Sequence, residues 1–424
     1  MPSPPLPSAP VPGTDAAPDA ARHVTPVAAP VATQAADVAA HPPTPRLVLR
    51  DDVPLAAIPA AAWDRLAGGV PLASHAFLHA LHETGCASPA TGWSPRYLTA
   101  WRADTLVGAL PLYAKTHSYG EYVFDWAWAD AYRRYGRRYY PKLVAALPFT
   151  PASGPRLLAA DDATRAALLA AALDSLHAGG TAAPSSLHLL FITPAEAALA
   201  EGAGMIIRHG VQFRWENRGY RDFADYLAAF NHDKRKKVKQ ERRRVADAGI
   251  AFERRSGSAI SDDDWAFFHR CYTLTYQAHR STPYLSLPFF RRIGRTMGEH
   301  LLLAIGRRDG VPVCAALDVF DATTLWGRYW GALEYVPGLH FEACYYQAIE
   351  FCIERGIAAF EGGAQGIHKL ARGLTPVTTH SAHALADPDF AAAVAEFCAR
   401  ERTDVAHTVD ELAESAPFRR GGEG

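Results

Sequence analysis

Cysteine and methionine are scarce in this chain: six and three among 424 residues. The cysteines, Cys86, Cys271, Cys314, Cys344, Cys352 and Cys398, form no C-x-x-C pair and no dense framework. That argues against a structural zinc site and a disulfide-stapled secreted domain. A reducing, cytoplasmic compartment is the simpler expectation. No charge of one sign prevails, since 43 Lys and Arg against 44 Asp and Glu leave a net charge of −1. Any anion site is therefore a local patch rather than a basic coat. No apolar run approaches the ~20 residues of a membrane helix. The most apolar window, Ala166–Leu173, is bracketed by Arg165 and Asp174 and reads as a packed helix. The N-terminus has neither the basic flank nor the leucine-rich stretch of a signal peptide. Its first 45 residues hold no Phe, Trp or Tyr but twelve of the 31 prolines. Such a segment cannot bury enough apolar surface to offset its ordering entropy, and reads as a disordered tail.

From Arg46 onward the pattern is globular. Tyr97–Arg102 and Leu106–Tyr113 read as strands about a turn, and Glu121–Trp128 as a third, with Tyr122, Phe124, Trp126 and Trp128 on one face. Helices are expected at Lys142–Ala146 and Asp161–Ala178, and a buried strand at Leu187–Ile192. A helix at Ala195–Glu201 and an extended Met205–Glu216 complete this half. The order then recurs: strands at Leu301–Ile305, Val313–Phe320 and Leu325–Trp330, a helix from His340 to Glu354 stopped by Gly356, and a strand at Ala358–Glu361. Two similar α/β (α+β) domains are implied, 46–220 and 221–424, the second beginning with a basic helix over 231–248.

This order resembles the GNAT acyltransferase core, and two such units in tandem resemble the FemAB-like family. The stretches Trp326–Gly331, Leu339–Tyr346, Glu361–Gly373, Arg235–Arg244 and His279–Phe290 are similar to its bacterial peptidoglycan biosynthesis or recognition branch. The resemblance covers about Ala76 to Phe397. It implies two tandem GNAT-like domains with mixed, mostly antiparallel sheets flanked by helices. It also implies transfer of an acyl or aminoacyl group to an amine, with acyl-CoA or aminoacyl-tRNA as co-substrate and no permanently bound cofactor. Acetyl-CoA-using relatives hold the pyrophosphate on a Q/R-x-x-G-x-G/A loop at a helix N-terminus. Here that loop is Tyr335–His340, with one glycine, and Tyr132–Arg138 in the first repeat departs from the pattern too.

Transfer to an amine needs a base, oxyanion donors and alignment of both substrates. Candidates cluster at the strand–helix junctions of the second repeat. Glu361 precedes Gly362-Gly363 and is a candidate base; Gln365, His368, Lys369 and Arg372 follow it as substrate contacts. His340, Glu342 and Tyr345 lie at the start of the helix as further acid–base candidates. Helical spacing puts His340 and Cys344 on one face. That could make a nucleophile pair, but the favoured reading is a small buried cysteine under a capping histidine. Arg328, between Trp326 and Trp330, is placed to grip a carboxylate or phosphate. His279 and Tyr284 could line the acceptor cleft. His380 and His383 point to opposite faces of a strand, so no metal is expected.

Lys234–Arg244 carries eight Lys or Arg in eleven positions, offset only by Glu241. Lys234, Arg235, Lys236, Lys237, Lys239, Arg242 and Arg243 are the anion-binding candidates. Such crowding favours an anionic partner: a small molecule or nucleotide-linked wall precursor, tRNA, or the head groups of a membrane surface touched peripherally. The main expectation is thus a transferase without an integral membrane segment. The alternative is a non-catalytic recognition module that binds a wall precursor or RNA through the basic helix.

Overall fold

The computed structural model describes residues 45–177, 183–363, 366–414 and 417–418. All but the last residue of the Pro/Ala segment, and Gln365, lie outside them. In chain order the strands are β1 (Leu47–Arg50), β2 (Trp93–Pro95), β3 (Leu98–Arg102), β4 (Thr105–Leu110), β5 (Leu112–Lys115), β6 (Lys142–Ala145), β7 (Leu158–Ala159) and β8 (Ser186–Ile192). They continue as β9 (Ile206–Glu216), β10 (Ile250–Arg255), β11 (Leu301–Arg308), β12 (Val311–Phe320), β13 (Thr324–Ala332), β14 (Ala359–Glu361) and β15 (Thr375–Leu385). Four of them form the sheet β1-β3-β4-β7, and eleven form the sheet β10-β11-β12-β13-β14-β9-β15-β8-β6-β5-β2. Most pairs are antiparallel; the parallel ones are β6 with β8 and β13 with β14. Helices flank these sheets, as expected of the class.

The repeat is visible in the pairing. In one half β5 runs antiparallel to β6, the helix Asp162–Asp174 crosses over, and β8 pairs parallel to β6. In the other, β12 runs antiparallel to β13, the helical stretch Leu339–Arg355 crosses over, and β14 pairs parallel to β13. The next strand of each half then pairs with the other half. β9, which follows β8, lies against β14, and β15, which follows β14, lies against β8. β9 and β15 pair with each other from Arg214↔Thr375 to Ile206↔His383, so the exchange forms the centre of one continuous sheet.

The first half departs from the sequence reading in three places. The stretch Leu106–Tyr113 is two strands, because Pro111 lacks the N–H to continue a ladder and the chain changes sheets there. Glu121–Trp128 is no strand: the helix Trp126–Arg134 starts within it, and Tyr122 is left-handed at φ 63°. Its aromatic alternation does not mark one face. Trp128 is buried, whereas Phe124 and Trp126 are 58% and 41% exposed. Glu121 and Asp125 instead turn inward onto Lys142. The Lys142–Ala146 helix is in fact strand β6, buried throughout, with Lys142 compensated by those two acids rather than by water.

Candidate active site

β13 and β14 pair over only Thr324–Trp326 and Ala359–Glu361. Beyond that β13 runs on to Ala332, while β14 ends in Gly362-Gly363. Their parting opens a cleft of ≈ 670 Å³. Gly327 stands at the fork, where a Cβ would come 2.9 Å from the Phe360 ring, so the close approach requires glycine. On one side the cleft is walled by Asp318, Arg328, Trp330, His340, Cys344, Tyr345, His368 and Lys369. Opposite lie Tyr272, Thr275, Tyr276 and His279 of the helix Asp262–Ala278, with Tyr122, Phe149 and Pro151 from the first half. Tyr329 donates a hydrogen bond to the Phe149 carbonyl at 3.0 Å, joining the two halves across the cleft. Phe149, at φ 60°, and Tyr122 are both strained non-glycine residues on this wall.

The polar centre of the cleft is Asp318 and Arg328, with Glu361 beside it. Asp318 is 2% exposed, and burial pushes its carboxyl up to about 8 against the opposing field of Arg328. Burial also raises Glu361, opposed by Arg328 and Arg214. Asp318 Oδ2, Glu361 Oε2 and Arg328 Nη1 are buried without a hydrogen-bond partner. Buried polar atoms are rarely left so, and those of Asp318 and Arg328, which line the cleft, are what a polar ligand would satisfy. Arg328 is not clasped by indoles. A bulge opposite Leu317/Asp318 breaks the register of β13, and Arg328 Nε donates to the Gly327 carbonyl at 2.8 Å. Lys369 Nζ donates to the Gly363 carbonyl at 2.9 Å, and burial, with Arg328 nearby, pulls it down to about 8.

The start of the Leu339–Arg355 helical stretch is wound as a π-helix over Glu342–Tyr346. One extra residue in a turn re-aims side chains, and such turns are frequent at functional sites. Cys344 Sγ lies 3.7 Å from His340 Nδ1, and Tyr345 Oη lies 3.4 Å from His340 Nε2 and 3.2 Å from His368 Nε2. Burial lowers His340 to about 4, so its ring is neutral, and raises the Cys344 thiol.

The structure thus gathers Arg328, His340, Tyr345, His368, Lys369 and His279 at the cleft, with Glu361 beside it. Tyr284 stacks on Phe149 at 4.8 Å on the far side of that ring, in an adjoining pocket. Two candidates turn elsewhere. Glu342 is buried beneath the forked guanidinium of Arg242, at 3.0 Å to each oxygen, and accepts from Gln347 at 2.8 Å. Arg372 is paired with Glu241 at 2.5 Å and lies 3.5 Å over the Phe341 ring. Their partners use the groups that catalysis or binding would need. Asp318 was absent from the sequence candidates, although a lone acid within the apolar run Val313–Phe320 was a readable signal.

The basic helix, His232–Asp247, docks through Val238 and Val245. Glu241 points inward to Arg372 and Tyr346 rather than relieving its neighbours. Lys236 and Lys237 are exposed and Lys234 half-buried. Arg235, Lys239, Arg242 and Arg243 line a separate groove floored by Phe223 and Leu227, where Arg242 also meets Glu350 at 2.9 Å.

A family model described as FemAB-like, peptidoglycan biosynthesis/recognition, matches residues 54–420. No curated protein matches. Among solved structures, FemX is similar over 76% of this chain and 96% of its own, at 12% identity and TM-score 0.48. L-PGS from Bacillus licheniformis is similar over 81% and 96%, at 11% identity and TM-score 0.44. A tandem GNAT protein from the clavulanic acid biosynthesis pathway is similar over 81% and 99%, at 15% identity and TM-score 0.39. These are likenesses of outline.

Proposed function

Because the chain belongs to the FemAB-like family of peptidoglycan biosynthesis/recognition proteins, we propose that it transfers an aminoacyl or other acyl group to an amine on a cell-wall precursor. The observation that carries this reading is the aromatic-walled cleft lined by Asp318 and Arg328, each with a buried polar atom unpartnered. An acceptor amine arrives as an ammonium ion and must lose a proton before it attacks. Asp318, whose carboxyl burial raises to about 8, takes that proton once ionised. Arg328 and Lys369 hold an anionic part of a substrate and stabilise the oxyanion. The aromatic wall aligns the acyl group and excludes water.

An aminoacyl ester fits the donor side better than CoA. In the loop before the Leu339–Arg355 helical stretch, Gly338 backs onto the Glu241 carbonyl of the basic helix, where a Cβ would lie 3.1 Å away. The Leu339 amide, at the helix start, already donates to the Val336 carbonyl at 3.1 Å. That leaves this amide unavailable for a pyrophosphate. The exposed lysines of the basic helix supply a surface for an anionic carrier such as tRNA.

The test is incubation of the full chain with aminoacyl-tRNA and, separately, acetyl-CoA, each with amine-bearing muropeptide precursors, read by mass spectrometry. Transfer that Arg328→Met abolishes is the expected result. Precursor binding without transfer from either donor overturns the enzyme reading and leaves a recognition role.

A further inference from the structure

We propose that Cys344, with His340 as its base, carries the acyl group as a thioester between donor and acceptor. This rests on the transfer reading above and adds a covalent step to it. The pairing is built by the π-turn. His340 and Cys344 stand four residues apart, both line the cleft, and Sγ meets Nδ1 at 3.7 Å. Histidine–thiol contact within a substrate-sized cleft is the arrangement of an activated nucleophile. Nδ1 of His340 is free to accept when its proton is on Nε2. From there a string continues: Nε2–H to Tyr345 Oη at 3.4 Å, and Tyr345 O–H to His368 Nε2 at 3.2 Å. Run in this direction, the string supports the tautomer that nucleophile activation needs.

The surroundings point the same way. Cys86, Cys271, Cys314, Cys352 and Cys398 are buried, whereas Cys344 is partly open. Asp318, with its orphaned oxygen, and Lys369 line the same cleft as Cys344, and both act on its thiol electrostatically. Burial keeps the thiol protonated and the imidazole neutral. That suits concerted removal of the proton at the moment of attack rather than a resting thiolate.

The step balances without an outside reagent. Cys344 Sγ bonds to the carbonyl carbon of the acyl ester, its proton moves to His340 Nδ1, and the ester C–O bond breaks as His340 returns that proton to the leaving oxygen. The acceptor ammonium then loses one proton to Asp318. Its nitrogen bonds to the same carbon, the C–S bond breaks, and the second amine proton passes through His340 to sulfur. Lys369 is the cation facing the oxyanion in both halves.

The experiment uses p-nitrophenyl acetate as an activated acyl ester on the full chain, with release of p-nitrophenol and peptide mass spectrometry as readouts. A single acetyl group on Cys344, labile to hydroxylamine, is expected. Cys344→Ala should lose it, and His340→Gln should slow it by about 10²-fold. Cys344→Ser, close in size to the native residue, checks that the fold survives: its label should become an ester that resists neutral hydroxylamine. Acetylation confined to lysines, or undiminished p-nitrophenol release by Cys344→Ala, overturns the proposal. Full amine transfer by Cys344→Ala overturns it too while leaving transferase function intact. A Cys344 thioester that no amine discharges would retain the nucleophile and defeat the transferase reading instead.

Discussion

Two buried charge clusters, one in each half, behave in opposite ways. In the first half Lys142 Nζ contacts Glu121 at 2.7 Å, Ser118 at 2.9 Å and also Asp125. Lys115 lies 3.9 Å from Glu121 and 3.6 Å over the Trp93 ring. The cations have collapsed onto the acids: Glu121 Oε1 and Asp125 Oδ1 make no hydrogen bond, but each belongs to a carboxylate whose other oxygen is held by Lys142. In the second half Asp318, Glu361 and Arg328 each keep an unpartnered buried atom, no ion pair within 4.0 Å joins them among the described residues, and Asp318 and Arg328 line a cleft. Buried charge is tolerable when paired, so the first cluster is explained by the fold alone. The second lacks such pairing, and a polar ligand in the cleft could supply it. The open cluster, not the more heavily charged one, marks the site.

The strongest way to break this contrast is Lys142→Met. It leaves buried Asp125 without its cation and Glu121 with only Lys115 at 3.9 Å, and should cost about 3–5 kcal/mol in urea unfolding. Arg328→Met, which separates no hydrogen-bonded ion pair, should cost less while abolishing transfer. Equal losses in the two variants would erase the distinction. Next in size, Asp318→Asn should reduce transfer by about 10²-fold with stability preserved. The wild-type rate should climb as pH rises through about 8, where Asp318 ionises, and the variant's profile should lose that limb. Linkage gives a second readout. The folded pKa is above the ordinary 3.8, so between that value and about 8 the native state keeps a proton the unfolded chain has shed. Wild-type stability therefore falls with rising pH across this window, and Asp318→Asn removes that slope.

Glu342→Gln sharpens the contrast from the closed side. It weakens the Arg242 clasp by about 1–2 kcal/mol, measured by thermal unfolding, and should leave turnover per folded molecule unchanged. Smallest in stability is Lys236→Glu with Lys237→Glu on the exposed face of the basic helix. The melting temperature should hold, while tRNA binding weakens and its log–log salt slope falls by about one for each phosphate no longer neutralised. Binding unaffected by this pair would remove the helix from substrate recruitment.

Legibility followed sequence distance. The β11–β12–β13 meander, the Gly356 helix stop and strand β14 were readable because hydrophobic period and turn chemistry are local signals. So was the cluster Arg328, His340, Tyr345, His368 and Lys369, which one crossover unit brings together. Glu342 and Arg372 were misread because their partners, Arg242 and Glu241, lie 100 and 131 residues away. No local pattern reveals that their charges are already used. Strand β6 is not legible locally, because the acids that let Lys142 be buried, Glu121 and Asp125, lie 21 and 17 residues away. The π-turn that points Cys344 at His340 has no sequence period of its own.

The exchange of β9 and β15 also bears on how the chain is made. During synthesis β8 leaves the ribosome with one flank waiting for β15, whose residues 375–385 are translated nearly two hundred positions later. Until then the first half presents an open strand edge, the kind of surface on which nascent chains pair wrongly or aggregate. Completion of the sheet is therefore a late, all-or-none event, and a chain cut short before β15 leaves that edge without its partner.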